Sequence, residues 1–201
     1  MAILSEVVKH DPAPMRQESV ERLTDIAETA RGLVDTMSDI VWAIDPRRDD
    51  LHSVVLRVRQ FAADVLEAKG IKWQFQATPE LEHTKLTPEQ RRHLFLILKE
   101  AVTNIARHAD CSNVAMDITL SGDQLCADIR DNGKGFPSGS GGEPGNDQRR
   151  GHGLENMRTR AEQIGGKLHF NSTPGSGTQI TLTMPLNWRH GMNMLFSRLR
   201  K

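Results

Sequence analysis

The sequence of 201 residues lacks most features that assign a protein at first reading. No apolar run approaches the roughly 20 residues that cross a bilayer, and the start shows no basic leader, so we expect no signal peptide and no membrane contact. The two cysteines, Cys111 and Cys126, lack metal-ligand spacing, and we expect reduced thiols in a cytoplasmic protein. The 26 basic and 26 acidic residues cancel, so nothing in the net charge indicates a nucleic-acid partner.

Common cofactor and catalytic motifs are also missing. The chain has no Gly-x-x-x-x-Gly-Lys-Ser/Thr phosphate loop, no dinucleotide-binding Gly-x-Gly-x-x-Gly, no nucleophile elbow and no His-Glu-x-x-His. A composition of 37% hydrophobic and 26% charged residues is nevertheless typical of a folded, soluble protein. Any function must therefore be sought in less familiar patterns.

The first third of the chain carries the apolar pattern of a helix in a bundle. Apolar residues follow at alternating three- and four-residue steps, with a flanking row at seven-residue spacing: Val20, Leu23, Ala27, Ala30, Val34, Met37, Val41 and Ile44, then Ile26, Leu33 and Ile40. This stripe is wider than a two-stranded coiled coil needs, so we expect a second chain to cover it. Pro46 ends the helix, because proline disfavours helical geometry in the preceding residue.

Helical and strand patterns alternate in the rest of the chain. An amphipathic helix is predicted over 51–66, followed by an alternating strand over 71–75. Thr87-Pro88-Glu89-Gln90 is a capping box that opens a helix running through Ile105. The remaining predictions are strands over 113–120 and 125–130, a loop over 137–150, a helix over about 154–164, and a hairpin of 167–172 and 179–184.

Asp131 stands at the end of a predicted strand, directly before a glycine turn. A carboxylate in this place can accept a hydrogen bond from the exocyclic amine of adenine, and Gly133 and Gly135 let the backbone approach a flat base. Asp-Asn-Gly is also an ordinary turn sequence, so the motif alone does not decide between the two interpretations.

Polar residues at helical spacing precede this turn. Glu100, Asn104 and Arg107 are expected on one helix face, with His108 nearby. The Asn104 amide oxygen suits Mg²⁺, Arg107 suits phosphate, and Glu100 could accept a proton or orient a nucleophile. The alternative interpretation is a solvated helix face.

A third glycine pattern is expected at the start of the last helix. Gly151 and Gly153 would expose backbone N–H groups there, which bind anions. The preceding Gly/Ser-rich loop, 137–150, is interpreted as a lid and ends in Arg149 and Arg150, which could reach phosphates. A flexible linker with solvated arginines is the alternative.

The order of these motifs resembles that of the bacterial sensor histidine kinases, whose catalytic domain is related to gyrase, Hsp90 and MutL. The resemblance covers roughly residues 20 to 186 and rests on four motifs: Glu100-x-x-x-Asn104-x-x-Arg107-His108-Ala109, Asp131-x-Gly133-x-Gly135, Gly151-x-Gly153-Leu154-x-Asn156-Met157, and Gly175-Ser176-Gly177-Thr178. The first and third take the form found in the nitrate-sensor and desaturase-sensor subgroup. Glu155 stands where other histidine kinases have glycine.

The resemblance implies an α+β fold, a two-layer sandwich of a mixed sheet backed by helices, preceded by a helical dimerisation segment. ATP and Mg²⁺ are the implied cofactors, with Glu100 as catalytic residue and Asn104 as metal ligand. The implied cofactor-binding residues are Asn104, Arg107, His108, Asp131, Gly133, Gly135, Gly151, Gly153, Leu154 and Thr178.

The same resemblance implies the domain organisation and partners. We expect a dimerisation segment and linker helix over 1–67, a catalytic domain over 68–187 and a basic tail over 188–201. The expected partners are a second copy of the chain and, in the full-length protein, a response regulator. The region is expected to be cytoplasmic, alone or as part of a membrane-bound sensor.

The histidine that accepts phosphate in this family has no good counterpart. His10 is followed by an acidic residue, but Pro12 and Pro14 would break a helix there, and His52 lies on the predicted linker helix. We therefore expect a fragment that lacks its own acceptor. The alternative functions are a nucleotide-controlled dimerisation module without catalysis, a serine kinase acting on a partner protein, and an ATP-driven clamp.

Overall fold

The computed structural model describes residues 50–137 and 148–186, together with isolated positions between 23 and 42. The chain divides into two units, Met1–Trp42 and Ala43–Lys201. The described positions between 23 and 42 are helical, as predicted. Four of the apolar residues in the predicted stripe are exposed by 45 to 67%: Leu23, Ile26, Met37 and Val41.

The helices and strands of the second unit lie close to those predicted, except at the start of the last helix. In chain order they are α1 (Leu51–Ala68), β1 (Lys72–Ala77), a 3₁₀ turn (Pro79–His83), α2 (Pro88–Asn104), a π-turn (Ile105–Ala109), β2 (Asn113–Ser121), β3 (Gln124–Asp131), α3 (Gln148–Gln163), β4 (Lys167–Ser172) and β5 (Thr178–Pro185). None of the helices that can be described here is both long and apolar enough to cross a bilayer.

Side-chain caps start the first two helices. The Asp50 side chain accepts the backbone N–H of Ser53 at 2.6 Å at the start of α1. The predicted capping box of α2 is confirmed, because Thr87 Oγ1 accepts the Gln90 N–H at 3.1 Å and the Gln90 side chain accepts the Thr87 N–H at 3.0 Å. Each cap satisfies N–H groups that have no partner within the helix.

The five strands form one mixed sheet in the order β1-β2-β3-β5-β4. The first pair, β1 and β2, is parallel and the other three pairs are antiparallel. In the central strands, residues on one face are buried and contribute to the core: Val114, Met116, Ile118, Leu125, Ala127, Ile129, Ile180, Leu182 and Met184. The buried stripes of α1, α2 and α3 complete that core, which confirms the two-layer α+β fold.

Candidate functional site

Three polar side chains form a row across the end of the sheet. The register pairs Asp131 of β3 with Thr178 of β5, and Thr178 with Ser172 of β4. Directly paired residues project from the same face of a sheet, so the three side chains are neighbours. Ser172 is 2% exposed, and its hydroxyl lies 2.9 Å from that of Thr178. We call Asp131, Thr178 and Ser172 the sheet-end row.

The carboxylate of Asp131 is half-buried and bonded to the backbone. Its Oδ1 accepts the Gly133 N–H at 2.8 Å, and the carboxylate also accepts the Thr178 backbone N–H. Burial raises the pKa of Asp131 above its ordinary value of 3.8, and the two hydrogen bonds, which favour the ionised form, oppose part of that shift. The group is a fixed acceptor that protonates more readily than an exposed carboxylate.

The next residue fastens the turn to the start of β2. Asn132 Oδ1 accepts the backbone N–H groups of Ser112 and Asn113 at 3.0 and 2.9 Å. Asn132 Nδ2 donates to the Ser112 hydroxyl at 3.0 Å. The side chain therefore fixes the turn rather than pointing toward a ligand.

The same turn is fixed to the helix that precedes β2. The Lys134 N–H donates to the Ala109 carbonyl at 2.8 Å, and Lys134 Nζ lies 2.5 Å from Asp110 Oδ2. Asp110, with φ of 51°, follows the π-turn in the left-handed region. A Cβ on Gly133 would overlap the Ala109 carbonyl oxygen, so only glycine fits where the turn crosses the helix end.

On its other side the turn crosses the loop between β4 and β5. Gly135 has φ of 59°, and a Cβ there would overlap the Thr173 carbonyl oxygen. The Gly175 N–H donates to the Lys134 carbonyl at 2.7 Å and holds the crossing together. The first and last glycine motifs thus form one packed unit.

A second cluster lies where α3 crosses α2. A Cβ on Gly153 would lie 2.7 Å from Glu100 Oε1 and 3.8 Å from Asn104 Nδ2. Glu100 and Asn104 are one helical turn apart, so α3 passes over both at the position of this glycine. We call Glu100, Asn104 and Gly153 the helix-crossing cluster. Leu154 follows directly and is half-buried.

Two candidate residues lie in a wider helical turn than expected. The predicted helix through Ile105 is confirmed, but from that residue the hydrogen bonding is of the π type. Because a π-turn changes the angular step between residues, three-residue spacing no longer guarantees that Arg107 shares a face with Asn104. Arg107 and His108 are both exposed, and their roles stay predictions.

The expected start of the last helix was wrong. α3 begins at Gln148, so Gly151 and Gly153 lie inside the helix rather than before it. Only the first four N–H groups of a helix lack partners, which leaves Gly151 at the last such position and Gly153 beyond it. Glycine at 153 instead provides the close approach to Glu100. Residues 138–147 of the predicted lid lie outside the described residues.

The two groups of residues are attached to the same helix end. Gly133 and Lys134 contact Ala109, and Asn104 precedes Ala109 by five residues, roughly 7 Å along a helix. A base at the sheet-end row could therefore extend its phosphates toward the helix-crossing cluster. A separate cavity of about 370 Å³ beside α1, lined by Leu56, Arg59, Gln60, Ala63 and Trp73, shares no residue with either group.

The residues present fit ATP with Mg²⁺. Glycine avoids steric overlap at three positions around the site. A side chain on Gly133 or Gly135 would overlap neighbouring backbone, and one on Gly153 would push against Glu100. The half-buried carboxylate of Asp131 suits an adenine amine at one end. The amide oxygen of Asn104 and the carboxylate of Glu100 suit a hard cation with phosphates at the other.

The sequence did not identify three contributors to this geometry. Ser172 in the sheet-end row could have been found from the predicted hairpin, because antiparallel pairing about its loop places it opposite Thr178. The ion pair of Lys134 and Asp110 joins residues 24 apart in the chain, and no local sequence pattern predicts it. The π-turn also has no sequence signature.

Comparison with known families agrees with this geometry. Residues 89–187 match the family described as histidine kinase-, DNA gyrase B- and HSP90-like ATPase. The match covers just under half of the chain and shows what this region is similar to. The matched segment runs from the first turn of α2 to just beyond β5, so it includes both the sheet-end row and the helix-crossing cluster. The ATPase domain binds ATP in this family.

Part of the chain is similar in sequence to curated sensor proteins. The chain is 38% identical over 108 residues to the sensor protein VraS of Staphylococcus aureus, covering 54% of this chain and 29% of that protein. It is 41% identical over 95 residues to VraS of Staphylococcus epidermidis, covering 47% and 26%. The chain thus spans less than a third of the length of these curated relatives.

Solved structures agree on the fold. The Acinetobacter baumannii histidine kinase AdeS has a TM-score of 0.60 at 16% identity, covering 92% of this chain and 91% of that one. The histidine kinase domain of the blue-light activated kinase from Erythrobacter litoralis EL346 has a TM-score of 0.57 at 20% identity, covering 86% of each chain. At these identities the solved structures bear on the fold alone, and that fold agrees with the ATPase family match.

Proposed function

We propose that this chain transfers the γ-phosphoryl group of ATP to a histidine, as the catalytic region of a sensor histidine kinase. The observation that carries the proposal is the attachment of both groups of residues to one helix end. The turn after Asp131 is bonded to Ala109, and Asn104 and Glu100 lie on the helix leading to that residue. This arrangement suits a ligand with a base at one end and phosphates at the other.

The sheet-end row is assigned to the base. The ionised Asp131 carboxylate accepts a hydrogen bond from the exocyclic amine of adenine. The backbone N–H groups of Gly133 and Thr178 hold the carboxylate in position. Gly135 keeps the surrounding backbone free of side chains, so the base can lie against it.

The helix-crossing cluster is assigned to the phosphates. The Asn104 amide oxygen would hold Mg²⁺, which supplies charge neutralisation on the phosphate oxygens. Glu100 would orient the attacking histidine or take its proton. Arg107, His108, Gly151 and Leu154 would complete the phosphate side. The histidine nitrogen forms a bond to the γ-phosphorus while the bond to the bridging oxygen breaks, and ADP leaves.

The acceptor is proposed to be a histidine other than His10 and His52. His52 lies in the first turn of α1 and belongs to the unit that carries the ATPase domain. His10 lies outside the described residues. We propose transfer in trans, to a histidine on a partner.

The wider assembly is also proposed. The exposed apolar side chains Leu23, Ile26, Met37 and Val41 support a homodimer through the helical segment that precedes α1. The dimerisation segment and linker helix over 1–67, the catalytic domain over 68–187 and the basic tail over 188–201 stay predictions. The VraS relatives are sensor proteins, which supports a response regulator as partner and a cytoplasmic placement of this region. The first and third motifs support membership of the nitrate-sensor and desaturase-sensor subgroup.

Calorimetry with a non-hydrolysable ATP analogue and Mg²⁺ tests the assignment of the base. Asp131→Ala should abolish the heat of binding, because adenine loses its acceptor. Asp123→Ala is the matched control, since Asp123 is an exposed carboxylate in the turn at the opposite end of the sheet. Equal binding by wild type and Asp131→Ala would refute the assignment.

A mixing experiment tests the transfer. The chain is incubated with γ-labelled ATP and a full-length partner that retains its acceptor histidine but does not bind ATP. Acid-labile label on the partner supports the kinase. Binding of ATP without any transfer would favour a nucleotide-controlled dimerisation module, and acid-stable label would favour a serine kinase.

A further inference from the structure

Ser172 is a buried hydroxyl that contacts three parts of the site at once. Its Oγ accepts the Phe136 N–H at 2.9 Å, lies 3.1 Å from the Gly177 carbonyl oxygen, and lies 2.9 Å from Thr178 Oγ1. The first two contacts tie the glycine turn to the loop before β5. The third reaches the hydroxyl that stands next to Asp131 in the sheet-end row.

The direction of the protons in this network follows from the acceptors present. A carbonyl oxygen can only accept, so the Ser172 proton must point to Gly177 for that contact to be a hydrogen bond. Thr178 then supplies the proton for the bond between the two hydroxyl groups. With the protons in these positions, the contacts of the Ser172 hydroxyl to the Gly177 carbonyl and to the Thr178 hydroxyl are both hydrogen bonds. In the reverse arrangement the Ser172 oxygen and the Gly177 carbonyl oxygen would face each other at 3.1 Å with no proton between them.

With its proton directed at Ser172, the Thr178 hydroxyl has only lone pairs left for a ligand. The neighbouring Asp131 carboxylate is also an acceptor when ionised, and its backbone bonds come from N–H groups. Side by side, the two groups offer acceptors and no donor. Such a surface fits an exocyclic amine and repels a carbonyl oxygen.

We propose that Ser172 is a positioning residue for base selection: it turns the Thr178 hydroxyl proton away from the base and so favours 6-aminopurine nucleotides over 6-oxopurine nucleotides. The inference rests on the proposed function, because it takes Asp131 as the acceptor for the base. Ser172 itself, 2% exposed, acts through Thr178 and does not touch the ligand.

Removal of the Ser172 hydroxyl should release the Thr178 proton. In Ser172→Ala the Thr178 hydroxyl can rotate and donate to a 6-oxo group, which faces only acceptors in the wild type. The 6-amino group of ATP has its acceptor in Asp131 in both proteins, so the substitution favours inosine triphosphate more than ATP. One neutral hydrogen bond changes an equilibrium by roughly 2- to 12-fold. We expect the ratio of the two dissociation constants, inosine triphosphate over ATP, to fall by about 3- to 10-fold.

Calorimetry with Mg²⁺ and each nucleotide, on wild type, Ser172→Ala, Thr178→Val and the double variant, tests the mechanism. If Ser172 acts through Thr178, Ser172→Ala lowers the ratio in the wild-type background and leaves it unchanged in the Thr178→Val background. Ser172→Thr keeps a hydroxyl and should retain the wild-type ratio. A purely structural role would weaken both nucleotides equally and leave every ratio constant.

The outcomes separate the two proposals. Normal ATP binding with an unchanged ratio in Ser172→Ala overturns the role of Ser172 and leaves the proposed function intact. Absence of ATP binding to the wild type, or equal binding by Asp131→Ala, overturns the proposed function and this inference with it. Ser172→Ala is taken as unfolded if it shows no thermal unfolding transition. In that case Thr178→Val must lower the ratio of the two dissociation constants and Thr178→Ser must leave it unchanged. Any other result overturns the inference.

Discussion

The sheet-end row and the helix-crossing cluster are held in place by different means. Strand register aligns the row, and hydrogen bonds from Asn132, Lys134 and Phe136 fasten the turn beside it. The helix-crossing cluster depends on the close packing of one glycine of α3 against Glu100 and Asn104. The base side is thus fixed by many backbone bonds and the phosphate side by one helix contact.

This difference predicts that the two regions respond differently to substitution. A change in the backbone of the turn beside the row must disturb hydrogen bonds and should affect folding and nucleotide affinity together. A change at the helix crossing displaces the end of a flexible side chain, which costs little stability. We therefore expect a substitution at the helix-crossing cluster to lower catalysis with stability and affinity kept, and a substitution in the turn to lower stability and affinity together.

The largest effect is expected for Gly135→Ala. The residue combines a φ of 59° with a Cβ position that overlaps the Thr173 carbonyl oxygen, so the backbone itself must move. We expect a loss of about 3 kcal/mol or more in the free energy of unfolding, together with loss of ATP binding. Chemical denaturation and calorimetry measure the two effects.

Gly175→Ala is the matched control for this variant. Gly175 has a φ of 81° but no heavy atom within 4 Å of the added Cβ, so only the backbone conformation is strained. A cost of roughly 1 kcal/mol is expected, with ATP affinity largely kept. Equal losses in the two variants would show that overlap at the crossing does not matter.

At the helix crossing, Gly153→Ala should reduce transfer rather than stability. The added Cβ would lie 2.7 Å from Glu100 Oε1, which must move, while alanine is favoured over glycine within a helix. We expect phosphoryl transfer to fall by about 10- to 100-fold with ATP affinity nearly unchanged. Single-turnover transfer to an acceptor-bearing partner measures the effect.

Glu155→Ala provides the comparison on the same helix. Glu155 is exposed, and its ion pair with Arg158, at 3.9 Å, is long and solvated, so transfer should be unchanged. If Gly153→Ala transfers phosphate as fast as the wild type, Glu100 is not the group that the helix crossing positions.

The sequence predicted the local parts of this structure better than the contacts between them. The capping box at Thr87 and Gln90 and the alternation of Leu125, Ala127 and Ile129 depend on residues a few positions apart, and both were confirmed. The fold was predicted from the order of four motifs, which carry a family resemblance, and that prediction was also confirmed.

Contacts between segments that are distant along the chain are only weakly marked in the sequence, or not at all. The helix start at Gln148 was missed because Gly151 and Gly153 have low helix propensity, whereas packing against α2 favours glycine at 153. The π-turn at Ile105 has no local signature. The strand order, with β5 between β3 and β4, follows from tertiary pairing that periodicity does not encode.

Acid should weaken ATP binding at the sheet-end row at a pH where ordinary carboxylates are still ionised. Because burial raises the pKa of Asp131 above 3.8, ATP affinity should fall as the pH decreases through that raised value, whereas an ordinary carboxylate would remain ionised. The same shift means that Asp131 contributes stability at low pH and loses it as pH rises from 3.8 through the raised pKa.

Titrating ATP affinity against pH in wild type and Asp131→Asn measures this dependence. The variant lacks the titrating group, so its weaker affinity should show no step in the same range. A step of the same size in both proteins would assign the titration to another residue or to the nucleotide phosphates.

The smallest effect is expected at the ion pair that joins the turn to the helix end. Lys134 and Asp110 have side chains that are 52% and 74% exposed, so solvent screens their attraction. Lys134→Met should therefore change ATP affinity by no more than about twofold, because the Lys134 N–H keeps its bond to the Ala109 carbonyl. Calorimetry at low and high salt tests this, since added salt should remove the small difference between wild type and variant. A loss of affinity tenfold or larger would mean that the charge pair, rather than the backbone bond, sets the distance between the sheet-end row and the helix-crossing cluster.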